Sequence, residues 1–390
     1  MERIKAPDVN EIREAVDAKS RMLFSKNVEF LSSGCSMLNL AASGRIIDGG
    51  YPRARIINLV GDGSSGKTIL ALEFMAATFW NFKTSNRFQS SGKSLFKETK
   101  RLILVYNNVE GVMDFDVERM FGKDFVDSVI WISSDTIEKF GSDFFSRVMK
   151  LTKNDMLIYV IDSWDAIDSK EDKDKFEKKL KADAIKIEKG TFDAPLTEAA
   201  EAKESGSYEL GKQKYASKRF FKKVCADIQS VDADCTLVII SQVRTKIGVT
   251  FGKKQYRAGG DALNFYTHLV IWLREIEKLK ADAYGQTRVY GIDVHAKVER
   301  SKVWKPFREC NFRIIFDFGV DDIYSLMAFY FGPKKTKLNW LGDDYSRDNL
   351  YNLFKEDQEQ LDMLKQAVQA IWDDVEEKVA PKYQKYEQFY

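Results

Sequence analysis

Short apolar runs recur along the middle of the chain, at Ile56–Val60, Leu102–Tyr106, Val129–Ser133, Leu157–Ile161 and Thr236–Ser241. The stretches between them carry helical periodicity, beginning with Ile69 to Trp80. Near-continuous apolar runs of this length predict strands buried on both faces, and their alternation with helices predicts parallel βαβ units. Upstream, Val9, Ile12, Val16 and Leu23 share one face of a predicted helix over 8–24. That face either covers the chain's own core or docks on a neighbouring subunit; the pattern allows both. Downstream, Leu361, Leu364, Val368, Ile371 and Val375 recur at alternating spacings of three and four, which predicts an amphipathic helix. The rhythm breaks at 169–207, where a stretch dense in lysine and acid gives way to one rich in Ala, Glu, Ser and Gly. A solvated helix and a loop inserted into the core are expected there. The expected organisation is an N-terminal helix and linker (1–31), an α/β core (32–328) and a small C-terminal α(+β) domain (329–390).

Composition narrows this picture. The chain has 390 residues, 44% hydrophobic and 31% charged, with a net charge of +2. These are values of an ordinary globular protein, and any nucleic-acid contact must come from local basic patches rather than overall charge. The cysteines, Cys35, Cys225, Cys235 and Cys310, form no C-x-x-C pair, which points to a reducing compartment and no structural zinc. With only His268 and His295, a histidine-based metal site or triad is not expected. The N-terminus lacks an apolar signal core and no apolar run approaches a membrane span, so a cytoplasmic protein with no membrane association is expected.

The strongest chemical signal is Gly61-Asp62-Gly63-Ser64-Ser65-Gly66-Lys67-Thr68, directly after the first predicted strand and before a predicted helix. This is the G-x-x-x-x-G-K-[ST] phosphate loop in its proper context. Glycines let successive N–H groups converge on one anion, and the helix N-terminus adds positive potential. Lys67 can reach the β- and γ-phosphates, and Thr68 can ligate Mg²⁺. ATP and Mg²⁺ are the expected cofactors. Asp162 ends the buried run Leu157–Ile161, where open α/β sheets place their ligands, and is a candidate for holding the metal; a helix cap is the alternative. Glu110 follows the strand Leu102–Tyr106 and a short Asn107-Asn108 turn, and is the candidate general base, or else a surface glutamate.

A third constellation starts at Gln242, after the strand Thr236–Ser241. From there to Gly260 the chain carries Arg244, Lys246, Lys253, Lys254 and Arg257 and no acid, with Phe251, Tyr256 and the pair Gly259-Gly260 interleaved. Cations for phosphates and rings for bases suit single-stranded nucleic acid. Gln242 is placed to sense a γ-phosphate and couple it to that loop. A lysine-rich arm, Lys178 to Lys189, is a second DNA-contact candidate, weakened by Asp183 and Glu188.

In this order, these motifs resemble the RecA-type recombinases. The most specific part is Thr236 to Arg274, with Ile247-Gly248-Val249, Phe251-Gly252 and Ala262-Leu263 followed by Phe265-Tyr266. Ser33-Gly34 with Leu38-Asn39-Leu40-Ala41, and Arg300-Ser301-Lys302 with Pro306-Phe307, also resemble the family; the likeness extends over about 28–375. It implies a RecA-like core with a mostly parallel twisted sheet. It implies that Lys67 and Thr68 contact phosphate and Mg²⁺, that Glu110 is the catalytic carboxylate and that Asp114 meets the adenine amino group. It implies Gln242 as the switch glutamine and the stretch from Arg244 to Gly260 as a DNA-binding loop. Arg300 and Lys302 would reach a neighbour's triphosphate, and Phe265 would sit in the subunit interface with the 8–24 helix and Val28–Leu31.

The chain departs from the family's pattern in places. Val117 stands where a base-stacking aromatic is expected, with Phe115 near; Arg300 replaces a lysine; Asp62-Gly63 replaces Pro-Glu; and the 169–207 insertion displaces the first DNA loop. Such divergence points to a phage-encoded, UvsX-like member. The expected function is a DNA-dependent ATPase that polymerises on single-stranded DNA, pairs it with double-stranded DNA and exchanges strands in homologous recombination and repair. Expected partners are further copies of the chain in a helical filament, single-strand-binding protein and mediators. The rival readings are a hexameric helicase on the same core and a non-catalytic, ATP-gated accessory filament.

Overall fold

The computed structural model describes residues 28–87, 96, 98–111, 113, 115–188, 220–230, 234–245, 255–257, 263 and 265–381. The predicted helix over 8–24 lies outside them. Two short strands, β1 (Phe30–Leu31) and β2 (Tyr51–Pro52), pair antiparallel near the N-terminal side of the core. Phe30 and Leu31 are buried in their own chain, so these two residues of the expected intersubunit linker already belong to the fold.

The five strands expected from the apolar runs are all present, as β3 (Ile56–Gly61), β4 (Arg101–Asn108), β5 (Val129–Ile132), β6 (Asp155–Asp162) and β7 (Asp234–Thr245). They are mutually parallel in the order β3-β7-β6-β4-β5. β3 and β6 are buried along their whole length, which is why their sequences read as near-continuous apolar runs. Side chains alternate between two cores, as the strand period of two requires. Ile57, Leu59, Tyr106, Ile158 and Val160 face the helix Lys67–Arg87 side with Leu70, Phe74 and Met75. Val105, Leu157, Tyr159, Ile161 and Leu237 face the other side, with Phe140 and Phe144 of the helix Ile137–Val148 and Phe221 and Val224 of the helix Phe221–Ser230. Truncating a fully buried ring such as Phe140 to alanine would cost about 3–5 kcal/mol.

The sheet then continues beyond what the apolar runs indicate. After the short β8 (Gln255–Arg257), the long strands β9 (Leu269–Ala283) and β10 (Gln286–Ser301) form a hairpin. β9 lies parallel beside β3, and β11 (Glu309–Ile315) and β12 (Gly319–Asp321) add antiparallel strands outside β10. The hairpin turns at Tyr284-Gly285, both at positive φ (52° and 74°), the geometry that matches the twist of two-residue hairpins.

The helix Lys170–Glu188 opens the expected insertion, and residues 189–219 lie outside the described residues. Toward the C-terminus, the helices Asp322–Phe331, Arg347–Glu356 and Gln358–Val379 surround a small hairpin, β13 (Lys337–Trp340) and β14 (Asp343–Ser346). Leu326, Trp340, Phe354, Leu364 and Val368 share one apolar cluster with Leu38, Leu40, Val294 and Phe312 of the central region. The expected division at 329 therefore falls inside a helix whose side chains pack into that shared core. Of the predicted stripe on Gln358–Val379, Leu364 and Val368 are buried, whereas Ile371 and Val375 are 38% and 54% exposed, because the helix runs on past the core.

Candidate functional site: a phosphate loop and the edge of the sheet

β3 delivers Gly61 to the C-terminal edge of the sheet, and the helix begins at Lys67. Between them Gly66 adopts φ +79°, a left-handed conformation that strains any residue with a Cβ. Ser65 closes the loop by donating both its N–H and its hydroxyl to the Asp62 carbonyl, at 3.2 and 2.7 Å. Lys67 is buried and its ammonium donates to that same carbonyl. Burial pulls the Lys67 pKa down, against the carboxylates of Asp162, Asp62 and Glu110. The loop opens on a cleft of about 420 Å³ lined by Ser64, Lys67, Thr68, Phe115 and Phe316 among others. Arg119 and Asp317 face each other beside it, 3.8 Å apart. Val117, at the expected stacking position, instead starts the helix Val117–Phe121 and packs on the core, leaving Phe115 in the cleft.

The expected partners converge beside this loop. Parallel pairing sets Asn108 of β4 opposite Asp162 of β6, so the two strand ends finish level. Thr68 donates its hydroxyl to Asp162 Oδ2 at 2.7 Å, and Tyr106 donates its phenol to the same oxygen at 2.6 Å. Burial pushes the Asp162 carboxyl up, opposed by these two hydrogen bonds. Burial beside Asp162 raises the Tyr106 phenol, which keeps it a donor at neutral pH. Glu110 Oε1 accepts from Ser163 Oγ at 2.7 Å and from Gln242 Nε2 at 3.2 Å. The Gln242 N–H donates to Asp165 Oδ2 at 2.6 Å. Lys67, Thr68, Glu110, Asp162 and Gln242 therefore meet in one place.

Gln242 was expected at the end of its strand, yet β7 continues to Thr245. Its pairing with β3 does stop at Gln242, opposite Gly61, and the following residues pair antiparallel with β8, Arg244 opposite Tyr256 and Val243 opposite Arg257. The basic segment is thus closed at its base by a two-stranded ladder. Lys246, Phe251, Lys253, Lys254, Gly259, Gly260 and Asp114 lie outside the described residues.

Arg300, Lys302 and Phe265 are brought together elsewhere. Ser301 pairs with Leu269, which lies opposite Ile57 at the start of β3. Lys302 donates its N–H to the His268 carbonyl, and the His268 N–H donates to the Ile56 carbonyl. This is the N-terminal edge of the parallel strands, roughly 15 Å along β3 from Gly61 at ~3.3 Å per residue. Lys302 Nζ donates to the Phe265 carbonyl at 2.7 Å and sits 5.7 Å above its ring, which is 68% exposed. Burial and Arg300 lower the Lys302 pKa; burial first, then Arg55, Lys302 and Arg300, hold His268 at about 4 and hence neutral at pH 7.

Sequence reasoning gave no role to Tyr106, Ser163, Asp165, Phe316 or Asp317. Tyr106 read as one more apolar strand position, and Phe316 follows β11, more than two hundred residues from the loop it faces. The strand alternation and the level ends of β4 and β6 are the signals that could have found Tyr106.

A profile of the RecA N-terminal domain matches residues 9–89 and 171–321, more than half of the chain. The chain belongs to the RecA family. Its 28% identity to the RecA protein of Synechocystis extends over 294 residues, 75% of this chain and 66% of that protein. RecA of Rippkaea orientalis is 29% identical over 295 residues with the same coverages, and a Prochlorococcus marinus RecA is 28% identical over 294 residues, 62% of its own length. The chain thus spans just under two thirds of these relatives. A crystal structure of the RadB recombinase aligns with a TM-score of 0.44 at 16% identity, covering 75% of this chain and 98% of that one. The stretch the RecA profile leaves unmatched, 90–170, holds Tyr106, Glu110 and Asp162, whose grouping rests on geometry.

Among the described residues no helix is long and apolar enough to cross a membrane.

Proposed function

We propose that this RecA-family chain is a DNA-dependent ATPase that assembles on single-stranded DNA as a helical nucleoprotein filament and exchanges strands with a homologous duplex. The observation that carries this reading is the separation of its charged machinery onto two edges of one sheet. Lys67, Thr68, Asp162, Glu110 and Gln242 gather at one edge, and Arg300 and Lys302 gather at the other. Cations that cannot reach their own phosphate loop can serve the loop of a stacked neighbour, with Phe265 in that contact.

The hydroxyl of Thr68 and the carboxylate of Asp162 fit Mg²⁺: they are hard oxygen donors held together by a 2.7 Å hydrogen bond beside a phosphate loop, and no group of three or more metal-ligating side chains is found among the described residues. A site with so few protein ligands suits a cation that is shared with substrate phosphates. When bound, Mg²⁺ neutralises charge on the β- and γ-phosphates. Lys67 exchanges the Asp62 carbonyl for phosphate oxygens. Phe115 and Phe316 supply apolar walls for the base. Glu110, oriented by Ser163, takes a proton from the attacking water. Its second donor, Gln242, is drawn towards the γ-phosphate, and because β7 runs on into the β8 ladder, that pull reaches the basic segment from Arg244 to Gly260. DNA is held there chiefly through phosphates, so homology is read by base pairing. Single-strand-binding and mediator proteins complete the set of partners.

Electron microscopy of the full chain with single-stranded DNA, Mg²⁺ and a slowly hydrolysed ATP analogue tests this reading. Continuous helical filaments that require nucleotide are expected. Closed rings or dispersed monomers would contradict it.

A further inference from the structure

Tyr106 stands out in the loop network because its hydroxyl is not needed for packing. The side chain is fully buried towards the C-terminal end of β4, its ring 5.4 Å from that of Trp131, and phenylalanine would fill the same space. Most buried phenols find an acceptor, and this one finds the carboxylate of Asp162 rather than a backbone carbonyl. Thr68 donates to that same oxygen, Oδ2. A threonine hydroxyl can offer a lone pair to a cation while donating its hydrogen bond to Asp162. Tyr106 is the second anchor, reaching Oδ2 from a strand on the far side of β6 from the loop's own strand β3. Two donors on one oxygen stop the carboxylate from turning and leave Oδ1 for the cation.

We propose that Tyr106 is a positioning residue that fixes the Asp162 carboxylate for Mg²⁺ in the nucleotide site. This rests on the nucleotide-binding reading above. Hydrogen bonds to metal-ligating groups are commonly worth 10–100-fold in metal affinity. Tyr106→Phe removes one of two donors, so a shift at the lower end of that range is expected.

The test is binding of a fluorescent ATP analogue to the full chain, titrated with Mg²⁺ and repeated in EDTA. For Tyr106→Phe the half-saturating Mg²⁺ concentration is expected to rise roughly tenfold, with affinity in EDTA unchanged and the same displacement in a Mn²⁺ titration. Trp131→Ala is the converse control. It removes ring packing and keeps the hydroxyl, so it is expected to lower Tm and leave the Mg²⁺ midpoint where it is. A Tyr106→Phe midpoint equal to wild type overturns the positioning role. So does an equal loss of affinity in EDTA, or an equal midpoint shift in Trp131→Ala, since either would mean packing. A wild type that binds the analogue with no response to Mg²⁺, or not at all, overturns the nucleotide site itself and the positioning role with it.

Discussion

The two edges of the central sheet are built differently. At the C-terminal edge the side chains of the candidate site bond to one another: Thr68 and Tyr106 share Asp162, and Ser163 and Gln242 share Glu110. At the N-terminal edge, Lys302 spends its ammonium on the Phe265 carbonyl and on an aromatic ring that is itself 68% exposed. Strands fixed in parallel register keep these edges apart whatever the side chains do. The candidate site at one edge closes its hydrogen bonds within the chain, whereas Lys302 and Phe265 at the other present charge and an open aromatic surface outward. Stacking copies head to tail would set one against the other, and such heterologous contacts generate helical filaments when they do not close.

The comparison can be broken from either side. Lys302→Ala should cause the largest loss, roughly 10³-fold in DNA-dependent hydrolysis if the cation acts as those supplied in trans do. Nucleotide binding by dispersed protein should be unchanged; a loss of that binding would mean the cation serves its own chain. Glu110→Gln should reduce kcat by about 10²–10³-fold, within the range of general-base removal, and leave filament formation intact. A variant that hydrolyses ATP normally would make Glu110 a surface residue. Arg244→Ala should weaken DNA binding to all sequences alike and reduce the dependence of log K on log salt by about one unit; loss confined to particular sequences would contradict a phosphate contact.

The smallest effect concerns the core between the edges. Glu73, on the helix that starts at Lys67, is largely buried and accepts the Val320 N–H at 3.1 Å. Burial raises its carboxyl from 4.5 to about 7. The folded state therefore holds a proton that the unfolded chain releases, and stability should fall as pH rises from about 4.5 to 7. Glu73→Gln should flatten that decline and add about 1–2 kcal/mol at pH 8, read by denaturant unfolding across pH. An unchanged pH profile would show that Glu73 ionises freely in the fold.

The C-terminal edge was partly legible in the sequence. The phosphate loop is a local signal: eight consecutive residues with a strand before and a helix after. Asp162 was legible because a fully buried strand announces its own end. Tyr106 was not, since an apolar run gives an aromatic residue no polar meaning until register sets its hydroxyl beside Asp162. Gln242 was found, but the strand around it was drawn too short, because β7 leaves an apolar neighbour for a polar one at β8. The antiparallel half of the sheet was missed for a similar reason. Residues 274–290 of the β9–β10 hairpin are mostly exposed and rich in charge, so the pairing of long strands, not burial, holds them. Phe316 and Asp317 reach the cleft only through that half.

The proposed sharing of a site between copies can be tested directly by mixing two inactive variants. Glu110→Gln retains its cations and Lys302→Ala retains its base, so a filament of both contains interfaces with one intact half from each. DNA-dependent ATP hydrolysis that neither variant shows alone is the expected result. Mixtures no more active than the separate variants, although both bind nucleotide and DNA, would contradict a site completed between copies.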